Sequence, residues 1–252
     1  MNQNHHHPTA LITGGSAGLG FTLANFLAVQ GCQVIITGRD AVRLESAVTR
    51  LRDHGGEAAG IPGDIGDVDH RRQLAETIHS LGRLDILINN ASALGPLPMP
   101  ELAGYPLDGL RQVFETNTLA PLALVQALRP QLAAANGLVI NISSDAATGG
   151  YESWGGYGAS KAALDLLSLT LANELRGEEI SVVSVDPGDM RTQMHQNAFA
   201  GEDISDRPLP EATIPFWAWL LGQDPAALSG RRFQAQSQLW QTFGERSPGV
   251  PA

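Results

Sequence analysis

Short apolar runs alternate with helix-patterned stretches along most of the chain. Thr9-Ala10-Leu11-Ile12-Thr13 leads into a glycine-rich turn, after which Phe21, Leu23, Ala24, Phe26, Leu27 and Val29 recur with helical spacing. A second apolar run covers 33–39, a helix 41–54, a strand 57–62 ending in Gly63-Asp64-Ile65, and a helix capped by Asp67 reaches about Leu81. A fourth strand spans 84–91. Residues 107–135 are mostly helical, with Asn117 inside and Pro121 just beyond it. Then come a strand over 138–144, a long helix from about Tyr157 to Gly177, and a sixth strand over 180–186 that ends at Pro187-Gly188. Repeated strand–helix alternation at this spacing predicts an α/β fold, a single-domain doubly wound parallel sheet with helices on both faces. Right-handed crossovers between parallel strands need that many residues.

The remaining segments carry weaker patterns. Residues 193–211 hold Met194, His195, Phe199 and several acids with too little periodicity for one long helix, and read as a lid over the site. Residues 212–221, with Trp217 and Trp219, predict a packing helix, and Arg231-Arg232-Phe233 the start of a last edge strand. Residues 234–252 are polar and give no functional signal. Residues 1–8, including His5-His6-His7, read as a flexible tail before a domain over 9–252.

Composition narrows the function classes. The 252 residues, 43% of them hydrophobic, suffice for one well-buried core, and the 28 glycines and 15 prolines fall between periodic segments as loop punctuation. A net charge of −10 argues against nucleic acid or an anionic membrane as partner, since both demand clustered cations. Cys32 is the single cysteine, which excludes an intramolecular disulfide; with no His/Cys ligand spacing around it no metal is expected, and it reads as a small buried hydrophobe. No stretch approaches the roughly 18 uninterrupted apolar residues of a membrane span. The N-terminus lacks the order of a signal peptide, so a cytoplasmic location is expected.

The candidate chemistry lies at the carboxyl ends of the strands, where such sheets bind ligands. The turn Gly14-Gly15-Ser16-Ala17-Gly18-Leu19-Gly20 lets backbone N–H groups approach a pyrophosphate, with the positive end of the next helix behind them. At the end of the second strand Gly38 leaves empty the place of an acid that would hold a ribose 2′-OH. Arg39 follows and can accept a 2′-phosphate, so NADP(H) is favoured over NAD(H). Arg39 also reads as a solvated loop cation, and Asp40 can reach the hydroxyl. Tyr157 and Lys161, four apart, share one helix face. An ammonium beside a phenol favours the phenolate, so the tyrosine is expected to have a lowered pKa and to act as acid or base on a carbonyl or alcohol oxygen. Ser144 ends the fifth strand and can converge on this pair. Asn117 reads equally as a kink-associated polar residue. Tyr151 and Trp154 can wall a pocket or pack at a loop or subunit contact. His195 reads as a surface or pocket polar group.

Assembled, these motifs resemble the short-chain dehydrogenase/reductase family over nearly the whole span from Thr9 to Gly188. The matching features are Thr13-Gly14-x-x-x-Gly18-x-Gly20, Asp64, Asn89-Asn90-Ala91, Asn117, Ser144, Tyr157-x-x-x-Lys161, and Pro187-Gly188 with Thr192. The resemblance implies a Rossmann-like fold and a catalytic set of Asn117, Ser144, Tyr157 and Lys161. Tyr157 would be the general acid/base, and Lys161 would lower its pKa and hold the nicotinamide ribose. Ser144 would bond the substrate oxygen, and Asn117 would hold a water in a proton relay. Cofactor contacts would come from Gly14, Ser16, Gly18, Leu19, Gly20, Arg39, Asp64, Ile65, Asn90, Ala91, Tyr157, Lys161, Pro187, Gly188 and Thr192. The substrate pocket would include Ser92, Tyr151, Trp154 and Met194, for a small-molecule carbonyl or alcohol. Association into a homodimer or homotetramer through the helices at 107–135 and 157–177 is implied as well. Two positions depart from the family pattern: Ser92 stands where it has glycine, and Met190 where a β-branched residue is familiar. The expected activity is NADP(H)-dependent interconversion of a carbonyl and a secondary alcohol. The alternatives are a non-catalytic NADP(H) sensor, or a dehydratase or epimerase on the same fold.

Overall fold

A computed structural model describes residues 7–242. Seven strands form one parallel sheet in the order β3-β2-β1-β4-β5-β6-β7. They are β1 (Thr9–Thr13), β2 (Gln33–Gly38), β3 (Glu57–Pro62), β4 (Ile86–Asn89), β5 (Leu138–Ile142), β6 (Ser181–Asp186) and β7 (Arg232–Gln234). The order reverses between β1 and β4, which opens a crevice at their carboxyl ends.

Period-2 alternation sends successive strand residues to opposite faces. Ala10 and Ile12, Val34 and Ile36, Ile140 and Val183 pack against α1 (Gly18–Val29), α2 (Ala41–Asp53) and, through Phe216 and Trp217, α9 (Ile214–Leu221). Leu11, Ile35, Leu87, Val139 and Val182 face α3 (Val68–Leu81), α5 (Ala120–Ala133) and the far end of α7 (Gly155–Glu174). The central strands are therefore buried on both faces, and all five residues of both β1 and β5 are buried.

Several boundaries differ from the sequence pattern. The helix expected over 107–135 is α4 (Leu107–Phe114), a π-helical turn at Glu115–Leu119 that holds Asn117, and α5. The long helix α7 begins two residues before Tyr157 and ends at Glu174. The lid segment forms α8 (Gln193–Ala198), capped by Thr192, whose Oγ1 accepts from the His195 N–H, followed by turns. The short helices α6 (Ala146–Gly149) and α10 (Pro225–Leu228) complete the set. His7 and Pro8, placed in the tail by sequence, already bond to the segment at the start of β2. The His7 ring lies 2.9 Å from the Gly31 carbonyl, and the Pro8 carbonyl accepts from the Gln33 N–H. The rest of that tail, and residues 243–252 of the polar C-terminus, lie outside the described residues. Among the described residues no helix is long and apolar enough to cross a membrane, and no group of three His, Cys, Asp or Glu could hold a metal.

Candidate active site

A cleft of about 290 Å³ opens over the carboxyl ends of β1, β4, β5 and β6. Its floor on one side is the glycine turn. Gly14 and Gly18 have φ of +66° and +53°, where a side chain is strained. A Cβ on Gly20 would stand 2.3 Å from the Gly14 carbonyl oxygen and 2.5 Å from Asn90 Nδ2. Asn90 explains that crowding, because its amide donates to the carbonyls of Thr13 and Gly14 at 2.9 and 3.2 Å. Thr13 Oγ1 in turn accepts the N–H groups of Asn90 and Ala91. The end of β4 and the glycine turn are thus stapled together, with the start of α1 facing the cleft.

The opposite wall comes from β5 and α7. Ser144, Tyr157 and Lys161 all line the cleft. Lys161 is buried, and its Nζ donates to the Ile142 carbonyl at 2.7 Å. Ser144 Oγ donates to Asp145 Oδ1 at 3.0 Å and accepts from the Ala146 N–H. Ser92 and Ser144 line the cleft with Tyr157, and both act to lower the pKa of its phenol. Trp154 meets the Tyr157 ring edge-on, 5.7 Å between centroids, and Phe199 and His195 continue the aromatic wall. His195 Nε2 is buried with no hydrogen-bond partner among the described residues, while Nδ1 stands 3.8 Å from Asp189. Met194, Leu94 and Met190 add apolar lining.

The electrostatics correct one expectation. Burial pushes the Tyr157 phenol up to about 12, with Ser92 and Ser144 pulling the other way and Asp186 and Asp145 adding to the rise. Burial also takes Lys161 down to about 8, against the opposing pull of Asp165. Desolvation outweighs the lysine's attraction because both groups are buried, and because Nζ is committed to a carbonyl and lies 5.6 Å from the centre of the phenol ring. The phenol therefore holds its proton at neutral pH.

Other positions fall outside the cleft. Arg39 and Asp64 lie beside it at the ends of β2 and β3, with Arg39 Nη1 4.0 Å from Asp64 Oδ2 and both side chains half or more exposed. Ser16 sits next to Gly38, where an added Cβ would be 3.0 Å from the serine Oγ. Ile65 is buried in the helix-side core behind this corner. Tyr151 does not line the cleft: its hydroxyl donates to Asp145 Oδ2 and its ring packs against Gly149 in a neighbouring groove. Asn117 sits behind the cleft with its amide fully engaged. Nδ2 donates to Ala93 O and Ser160 Oγ, and Oδ1 accepts from Ala93 N and Ser92 Oγ. These four bonds tie the π-helical turn to the segment after β4 and to α7.

Three residues that the sequence reading left aside support this site. Asp186, at the end of β6, is buried beside the cleft; burial raises its pKa, and its Oδ1 accepts from the Gly188 N–H. Arg232 on β7 donates to the Ser144 carbonyl at 2.8 Å and to Asp165, with Asp186 3.5 Å away. Gln236, from the polar C-terminus, donates to the carbonyls of Pro187 and Asp189 and fills the space a Cβ on Gly188 would need. The acid before Pro187-Gly188 was a readable signal; the other two contacts span 88 and 49 residues of sequence and had none.

A family model described as short chain dehydrogenase matches residues 8–203. The chain belongs to the short-chain dehydrogenase family. Among its curated relatives is a rhamnolipid-biosynthesis 3-oxoacyl-[acyl-carrier-protein] reductase of Pseudomonas aeruginosa, 37% identical over 87% of this chain and 86% of the relative. A serine 3-dehydrogenase of Agrobacterium fabrum is 37% identical over 73% of each chain. A short chain dehydrogenase of Shigella flexneri, solved in complex with NADP, superposes with a TM-score of 0.85 at 29% identity, covering 94% of this chain and all (100%) of the other. An Escherichia coli short chain dehydrogenase in complex with NADPH gives 0.84 at 29% identity, over 94% of this chain and 100% of that one. The oxidoreductase family and the Rossmann-like parallel sheet expected from sequence are thus both established for this chain.

Proposed function

We propose that the chain is an NADP(H)-dependent oxidoreductase that interconverts a carbonyl and a secondary alcohol through Ser144, Tyr157 and Lys161. The observation that carries this reading is the buried Tyr157 and Lys161 together with Ser144 in one wall of a cleft whose other wall is a glycine turn with no room for a side chain at Gly20. Gly14, Gly18 and the start of α1 would hold the pyrophosphate, and Pro187-Gly188 and Thr192 the nicotinamide end. Arg39, with Ser16 near the end of β2, would take a 2′-phosphate. The rival for that place is otherwise occupied, since Asp40 caps α2 by accepting the Arg43 N–H. The structural neighbours bound to NADP and NADPH support the same choice.

The bound cofactor would supply or accept the hydride. Ser144 would donate to the substrate oxygen and fix its distance from Tyr157. Tyr157, holding its proton at neutral pH, would give it to that oxygen, which favours carbonyl reduction under these conditions. Trp154, Met194 and the lid helix α8 would keep water from the reacting atoms. Exposed leucines on the helices, Leu107, Leu119, Leu166 and Leu169, support a homodimer or homotetramer through α4, α5 and α7.

Titration with NADPH and NADH, followed by melting temperature, and then a panel of ketones, aldehydes and a 3-oxoacyl thioester tests the reading. Tighter NADPH binding with carbonyl-dependent oxidation is expected. Tyr157→Phe should keep the binding and lose turnover by about 100-fold or more. Binding without turnover on any carbonyl would favour a sensor, and failure to bind either nucleotide would overturn the proposal.

A further inference from the structure

Asp145 follows Ser144 just beyond β5 and lines the same cleft. The main chain here is fixed from three sides. Ser143 N–H donates to the Val185 carbonyl at 2.7 Å, Arg232 donates to the Ser144 carbonyl at 2.8 Å, and the Asp145 carbonyl accepts the N–H groups of Thr148 and Gly149. On this stretch the two side chains meet. Ser144 Oγ donates to Asp145 Oδ1 at 3.0 Å and accepts from the Ala146 N–H at 3.1 Å. The other carboxylate oxygen, Oδ2, accepts from the Tyr151 hydroxyl at 3.0 Å. A carboxylate has no hydrogen to give, so the serine is the donor in its bond to Asp145, and a hydroxyl has only one hydrogen. To bond a substrate carbonyl, Ser144 must withdraw that hydrogen. Oδ1 then keeps no other donor among the described residues.

We propose that Asp145 is a specificity-determining residue, and that the cleft takes carbonyl substrates with a hydroxyl or ammonium group on the adjacent carbon, the matching alcohol being a vicinal diol or amino alcohol. The inference rests on Ser144 as the proposed partner of the substrate oxygen. In such a substrate the carbonyl oxygen receives the Ser144 hydrogen, while the neighbouring donor takes the serine's place at Oδ1. Ser144 Oγ and Asp145 Oδ1 stand 3.0 Å apart, close to the spacing of the two heteroatoms of an α-hydroxy carbonyl, so two parallel bonds can form at once. A simple ketone exchanges a charge-assisted bond for a neutral one. An α-hydroxy ketone makes the neutral bond and restores the charged one. Tyr151 keeps the carboxylate in place during the exchange, because Oδ2 stays bonded whichever donor sits at Oδ1.

Saturation-transfer NMR can compare the binding of hydroxyacetone, aminoacetone and acetone to the protein without nucleotide and with NADP⁺, which cannot reduce them. In the parent, hydroxyacetone should bind at least about fivefold more tightly than acetone, as expected for a charge-assisted bond partly open to water. Asp145→Ala should bring the two ketones to within about twofold of each other. Asp145→Asn keeps an acceptor oxygen without the charge. It should retain part of the preference for hydroxyacetone and lose any extra preference for the ammonium of aminoacetone. A parent that binds acetone as well as it binds the other two would overturn the proposal, and so would an unchanged ratio in Asp145→Ala. Binding needs no turnover, so a protein that reduces none of these ketones with NADPH would sink the proposed activity while this result still stood or fell by itself. Where reduction is seen, the kcat/KM ratio of hydroxyacetone to acetone should fall in Asp145→Ala by the same factor, since the intrinsic reactivities cancel between variants.

Discussion

Gly20 shows how little freedom single residues have at this site. Its missing side chain is matched against the Gly14 carbonyl oxygen and the Asn90 amide, both fixed by other bonds. Gly20→Ala must displace the glycine turn, and overpacking of this kind costs about 1–3 kcal/mol. Differential scanning should show a melting temperature lowered by roughly 2–10 °C together with weaker nucleotide binding. Gly104→Ala, where an added Cβ meets nothing within 4 Å, is the matched control and should leave both unchanged. Glycine spacing was legible in the sequence because it reports backbone conformation directly. The bonding of Asn117 was not, since an asparagine inside a helical pattern says nothing of the four bonds that its amide makes. The phenol's pKa went the wrong way for a related reason: the spacing of Tyr157 and Lys161 predicts attraction but not the depth of burial that overrides it.

At the scale of elements, the last strand reaches into the site. β7 pairs in parallel with β6, and Arg232 leaves it to grip the Ser144 carbonyl, Asp165 on α7 and the buried Asp186. Apolar patterning located β7 but could not show its arginine pointing across two neighbours. Arg232→Ala strips two carboxylates of their cation and loosens the serine loop. Its side chain is 28% exposed, so solvent softens the loss below the 3–5 kcal/mol of a fully buried pair, to about 1–3 kcal/mol. Urea unfolding should record that loss. Steady-state kinetics should show a fall in kcat with the nucleotide KM nearly unchanged, because the glycine turn lies across the cleft. Arg232→Lys should recover part of the stability and little of the kcat, since one ammonium cannot span three acceptors. The break between α4 and α5 was equally hidden from periodicity, which runs through a single π-helical turn almost undisturbed.

For the whole molecule, burying Tyr157 and Lys161 side by side makes stability depend on alkaline pH with opposite signs. Lys161 falls from 10.5 in an open chain to about 8 when folded. Across that window the unfolded chain keeps a proton that the folded protein has lost, so stability rises with pH, by on the order of 3 kcal/mol in all. Tyr157 rises from 10.0 to about 12, and there the folded protein keeps the proton, so stability falls as pH climbs above 10. Cys32 and Tyr105, both raised by burial, add to that fall, from 9.0 upward for the thiol. The lysine contribution is isolated by difference, since Lys161 is the sole lysine of the chain. In urea unfolding at stepped pH, the parent should gain stability relative to Lys161→Met steadily between pH 8 and 10.5, whatever constant offset the lost bond to Ile142 introduces. A difference that stays flat across this range would mean that the lysine remains charged in the folded protein, and that the amine near the Tyr157 phenol is solvated to a degree its burial contradicts.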